Sequence, residues 1–100
     1  MQARAPHRSG AAALTYARLE DRNLSARERI SWLIDEVPHR VGDISVSSLT
    51  AHEGFILNMV DGQVSFADIM DIVGRRAEET AETLCGLLLR GLITTQSTQG

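Results

Sequence analysis

Residues 50–70 read TAHEGFILNMVDGQVSFADIM, and the fold turns on how this stretch is divided. Thr50 followed by Glu53 has the spacing of a capping box, in which a hydroxyl and a carboxylate reciprocally satisfy free N–H groups at a helix start. A helix therefore begins at Ala51, with Phe55, Ile56, Met59 and Val60 as its expected buried stripe. Asp61-Gly62 breaks it, since glycine suits a left-handed turn position. Gln63-Val64 has room for a very short strand. Ser65 and Asp68 repeat the capping pattern, and Phe66, Ile69, Met70 and Val73 form the core side of a short helix that Gly74 ends.

Working outward, Ala77 to Arg90 carries Ala77, Ala81, Leu84, Cys85 and Leu88 on one helical face, with Gly91 as its cap and Leu92-Ile93-Thr94-Thr95 as a closing strand. Upstream, Ile44-Ser45-Val46-Ser47 alternates apolar and polar with β-branched residues, the pattern of a short strand. Ser25 and Glu28 make a further capping box ahead of Ala26, Ile30, Leu33, Ile34 and Val37, so a helix is expected over 25–37, ended by Pro38. Residues 11–22 support only a weak helix, and residues 1–10 have no apolar periodicity. The fold class is mainly α with a minor β-sheet (α+β), a three-helix core plus an extra N-terminal helix. The expected organisation is a disordered or weakly helical basic arm over 1–24, one domain over 25–96, and a polar tail over 97–100. Gly54 and Gly86 fall inside helices, where glycine is unfavourable, so each is expected to allow a neighbouring helix backbone to approach.

The order strand, helix, turn, short helix, turn, long helix, strand is that of winged-helix domains. Leu49-Thr50, Glu53-Gly54-Phe55-Ile56-Leu57, Val60-Asp61-Gly62, Ser65 and Ile69, with the closing Leu87-Leu88 and Gly91-Leu92-Ile93, resemble a small winged-helix-like module of myxobacterial-type signalling proteins. They are also similar to PqqD-like peptide-recognition domains, which share the Asp-Gly turn and the closing Gly-Leu-Ile. The resemblance covers about residues 44–95 and rests mainly on caps, turns and core positions, which specify fold better than function. It implies a binding domain, and in the PqqD-like case an extended peptide held at a sheet edge.

Composition excludes several chemistries. All ten basic residues are arginine, so a Walker-type phosphate loop and Schiff-base catalysis both lack their lysine. His7, His39 and His52 are scattered and there is one cysteine, so no zinc spacing arises. Cys85 sits in a leucine-rich face where burial quiets a thiol. No serine stands in a Gly-x-Ser-x-Gly elbow. The expectation is a non-enzyme with no cofactor and no metal. No apolar run reaches the ~18–20 residues of a membrane span, and the lone cysteine fits a reducing, cytoplasmic setting.

Charge is asymmetric. Residues 1–30 hold six arginines against three acids, and residues 31–100 hold four against ten. Arg4, Arg8, Arg18 and Arg22 make a basic arm. The helix that would read DNA in a winged-helix domain bears Glu78, Glu79 and Glu82, which repel phosphates, so nucleic acid is not the expected partner. Trp32 lies about 200° of helical rotation from Ile30, off its helix's apolar stripe. An aromatic residue in that position is either an interface anchor or a staple onto the body. The candidate partner-binding set is Arg29, Trp32, Glu36, Ile44 and Val46, facing another protein, a peptide, or a second copy of the chain. The leading expectation is a small adaptor or regulator in a bacterial signalling or regulatory system. The alternatives are a PqqD-like peptide-recognition element and a DNA-binding transcriptional regulator.

Overall fold

The computed structural model describes residues 10–41, 49–74 and 76–98. Along the chain run α1 (Gly10–Leu19), α2 (Ala26–Ser31), β1 (His39–Arg40), α3 (Ala51–Met59), α4 (Phe66–Val73), α5 (Ala77–Leu89) and β2 (Ile93–Thr94). The protein is mainly α with a minor two-stranded antiparallel sheet. His39 pairs with Thr94 and Arg40 with Ile93, and the Val41 N–H donates to Leu92 O at 3.0 Å. The strand expected at Ile44–Ser47 lies outside the described residues.

Local chemistry starts three helices in the same way. Ser25 Oγ, Thr50 Oγ1 and Ser65 Oγ each accept the N–H three residues on, at 3.0–3.1 Å. In return, the carboxylates of Glu28, Glu53 and Asp68 accept the capping residue's own N–H at 2.9–3.2 Å. Each box satisfies donors that the first helical turn leaves free. At the other end of α5 the chain closes a Schellman motif: Leu92 N–H donates to Leu87 O and Gly91 N–H to Leu88 O, with Gly91 at φ +76°.

Four local expectations need correction. The helix expected over 25–37 stops at Ser31 and tightens into i→i−3 turns, with Leu33 N–H on Ile30 O and Glu36 N–H on Leu33 O. The tighter turns aim Ile34 O and Glu36 O, which a helix ending at Val37 would also leave free, at Ala67 N–H (2.8 Å) and Phe66 N–H (3.0 Å), the free donors at the start of α4. Gln63-Val64 forms no strand, because Gln63 N–H is taken by Asp61 Oδ1 at 2.9 Å. The buried stripe of α3 is Ile56, Leu57 and Val60, whereas Phe55 is 52% exposed. Finally, a Cβ added at Gly54 or Gly86 would meet nothing within 4 Å, so neither glycine serves a close helix approach.

The core is one cluster drawn from α1 to β2. Leu19, Ala26, Ile30, Leu33, Ile56, Phe66, Ile69, Leu84, Leu88 and Ile93 are all at most 2% exposed. Leu19 and Ala12 place α1 within that packing, so residues 10–19 belong to the body rather than to an arm. Burying a residue such as Leu19 contributes roughly 1.5–3 kcal/mol, more than the weak helix propensity of the segment could supply. The segment after β2 also packs inward: Thr95 is fully buried and Thr98 is 4% exposed.

Candidate functional site

The α1–α2 turn and the two helices it joins bring Arg18 and Trp32 together. Trp32 ends α2 with helical dihedrals, and its rotation from Ile30 turns the indole outward while Ile30 goes to the core. The indole is 56% exposed. The Arg18 guanidinium lies over the ring, 4.1 Å from its centroid, a cation–π arrangement worth about 0.5–1 kcal/mol at an exposed site. Leu14, one turn before Arg18 on the same face of α1, is 53% exposed. An aliphatic, a guanidinium and an indole thus line up on one side of the molecule.

The other expected site residues fare differently. Arg29 is 6% exposed, so it does not present a partner-facing charge. Its Nη1 donates to Leu19 O at 3.3 Å, covering a carbonyl that the last turn of α1 leaves unpaired. Glu36 is half-buried beneath the chain that follows β2. Its carboxylate accepts the Ser97 N–H at 3.1 Å and the Ser97 hydroxyl. Burial alone would raise its pKa, but the hydroxyls of Ser97 and Thr95 and the Ser97 amide together hold it below the ordinary carboxylate value. Ile44, Val46, Arg4 and Arg8 lie outside the described residues. Arg22 is exposed, and Arg18 is engaged with Trp32 rather than free as part of an arm.

Among the described residues two clefts stand out, neither of them lined by Leu14, Arg18 or Trp32. One, of about 560 Å³, runs between α2 and α4 over Ile30, Ile34 and Met70, with Arg27, Glu28 and Glu78 at its rim. The second, of about 450 Å³, is polar and is bounded by Asp35, Glu36, Val37, His39 and Gln96.

Long-range contacts assign roles that sequence reasoning missed. The Glu78 carboxylate on α5 accepts Ala26 N–H at 2.5 Å and Arg27 N–H at 3.1 Å, at the start of α2. Those two backbone bonds, Ala26 first, hold its carboxyl below the usual range. The two residues of the closer bond are 52 apart in sequence, so no local pattern signals the contact. Glu53 similarly does more than cap α3, since Arg90 Nη1 meets its Oε2 at 3.0 Å and ties the end of α5 to the start of α3. Glu79 and Glu82 remain exposed on α5, where Glu79 pairs with Arg76 at 3.3 Å.

Cys85 is buried, its Sγ within 3.8 Å of Ala26 O, and burial pushes its thiol up to about 11. At neutral pH it is protonated and a poor nucleophile. His39 packs its ring against Gly62, and His52 lies apart on α3. Among the described residues no group of three or more His, Cys, Asp or Glu comes together to hold a metal ion, and no helix is long and apolar enough to cross a membrane. Compared with known proteins, the chain matches no family model, no curated protein and no solved structure.

Proposed function

We propose that this chain is a small, non-catalytic interaction module of a bacterial regulatory system, acting in a reducing, cytoplasmic compartment. It binds another protein through the surface centred on Trp32. The observation that carries this reading is Trp32, 56% exposed on the same side as exposed Leu14; Val41, Phe55 and Ile72 are exposed too, and Trp32 is singled out from them by its size and by the guanidinium stacked on its ring. Tryptophan offers much apolar area at little conformational cost, and isolated apolar area of this size in water favours being covered. Arg18 stiffens the indole by stacking on it. The inert Cys85 thiol and the structural use of Glu36, Glu53 and Glu78 support a binding role over a chemical one. The exposed Glu79 and Glu82 on α5 favour a protein partner over DNA.

The test is a photoreactive residue placed at Leu14 in the full chain, in the native host. The expected result is one discrete covalent adduct, absent when the same residue stands at exposed Gln63 and lost in a Trp32→Ala background. An adduct of twice the chain's mass identifies a second copy as the partner. Equal labelling from positions 14 and 63, or an adduct indifferent to Trp32→Ala, refutes the reading.

A further inference from the structure

The open face of α2 has an apolar cleft on one flank and an apolar protrusion on the other. Successive side chains turn by about 100° around a helix. Arg27 and Ser31 fall in one row, which together with Ile34 walls the cleft between α2 and α4. Trp32 stands about 100° past Ser31, on the flank where α1 brings Arg18 over its ring. Arg27, Glu28, Ser31 and Trp32 are all exposed, and Glu28 and Ser31 lie between the cleft and the indole. The two flanks are complementary in chemistry. The cleft has an apolar floor of Ile30, Ile34 and Met70, and its rim sets the carboxylates of Glu28 and Glu78 against one guanidinium, Arg27. Those carboxylates accept backbone N–H groups at the start of α2, and each keeps further acceptor sites. The protrusion is a large apolar ring that carries a positive charge. At about 560 Å³ the cleft falls in the range of roughly 300–1,000 Å³ that holds a drug-sized molecule, so an indole with its guanidinium fits.

We propose that the partner of the Trp32 surface is a second copy of this chain, with Trp32 of each copy seated in the α2–α4 cleft of the other. This names the partner in the interaction reading above and rests on it. A protrusion and a cleft on one face make that face self-complementary. A two-fold axis in the contact plane, perpendicular to the line from Trp32 to the cleft, exchanges the two features, so both insertions form at once and the assembly closes as a dimer. Each insertion covers an indole with the floor of Ile30, Ile34 and Met70 and brings Arg18 of one copy to the Glu28 and Glu78 carboxylates of the other. Apolar area supplies the attraction, and the opposite charges set the register.

Sedimentation velocity on the full chain, at concentrations up to about 1 mM, tests this. The expected result is a monomer–dimer equilibrium. Trp32→Ala removes both indoles from the dimer, so the dissociation constant should rise by at least about a hundredfold. Met70→Arg places a guanidinium on the cleft floor and should abolish the dimer equally. Mixed in equal amounts, the two variants should regain a heterodimer, because Trp32 of the Met70→Arg chain meets the intact cleft of the Trp32→Ala chain. If urea unfolding shows that Met70→Arg does not fold, Ser31→Arg at the exposed wall of the cleft takes its place as the blocking variant, and loss of the dimer is again expected. A monomer at every concentration, self-association indifferent to either variant, or a mixture of folded Trp32→Ala and Met70→Arg that stays monomeric overturns the second-copy assignment. A crosslink from Leu14 to a different protein would then leave the interaction surface standing, whereas absence of any adduct would refute that reading as well.

Discussion

Replacing Gly54 or Gly86 by alanine should stabilise this protein. Both lie well inside their helices, α3 and α5, with ordinary negative φ, and a Cβ built at either position meets nothing within 4 Å. The added methyl therefore displaces nothing in the folded state, while alanine narrows the unfolded ensemble and raises helix propensity. Each substitution is worth about 1 kcal/mol, a rise in Tm of roughly 4–8 °C for a domain of this size. Gly62→Ala supplies the opposite sign from the same logic. Its φ is +80°, and a Cβ there would lie 2.9 Å from His39 Nδ1. A non-glycine residue in left-handed backbone is disfavoured by about 1–2 kcal/mol before any clash is counted. Urea and thermal unfolding of the three variants would measure this, with the urea slope unchanged if the denatured states are alike. A lowered midpoint for Gly54→Ala or Gly86→Ala would refute the reasoning, because it would mean that those positions accommodate a close neighbour after all.

Trp32→Ala should weaken partner binding by about 1–3 kcal/mol, measured by titration against the crosslinked partner once identified, while urea unfolding still reports a cooperative fold. A collapse of cooperativity in the monomer would make the indole a core residue instead. Glu78→Ala should lower stability by about 1 kcal/mol through loss of its two bonds to the start of α2, with faster amide exchange at Ala26 and Arg27 as the specific signature. Glu36 has its folded pKa held below the unfolded value of 4.5, so its stabilising contribution is complete above that value and is lost as pH falls through the lowered folded value. Glu36→Gln should flatten that acid limb in unfolding measured from pH 7 to pH 2, and an unchanged limb would remove Glu36 from the account.

Local chemistry made most of the helical skeleton legible. A capping box is a four-residue interaction between a hydroxyl, a carboxylate and the intervening backbone, so Ser25, Thr50 and Ser65 announce their helices without reference to the rest of the chain. The left-handed positions at Gly74 and Gly91, which end α4 and α5, and at Gly62 in the turn after α3 are equally local, since they depend on a missing Cβ. The mismatch of Trp32 with the Ile30 stripe was visible too, but it left open whether the ring faces solvent or packs on the body.

Which face packs, and what each charged group does, was decided only in three dimensions. The exposure of Phe55 and burial of Leu57 depend on where α3 meets its neighbours, which one helix's periodicity does not determine. The tight turns after α2 bring Ile34 O and Glu36 O to the first N–H groups of α4, a docking between distant parts of the chain that no local pattern signals. From sequence, Arg29 and Glu36 read as partner-binding residues and Glu78 as an outward-facing acid. In the fold, Arg29 covers the end of α1, Glu36 holds the segment after β2, and Glu78 caps α2. A charged side chain takes such a role when folding brings it next to backbone groups left unpaired at helix ends and turns. Sequence determines where those unpaired groups arise, and tertiary packing determines which distant side chain reaches them.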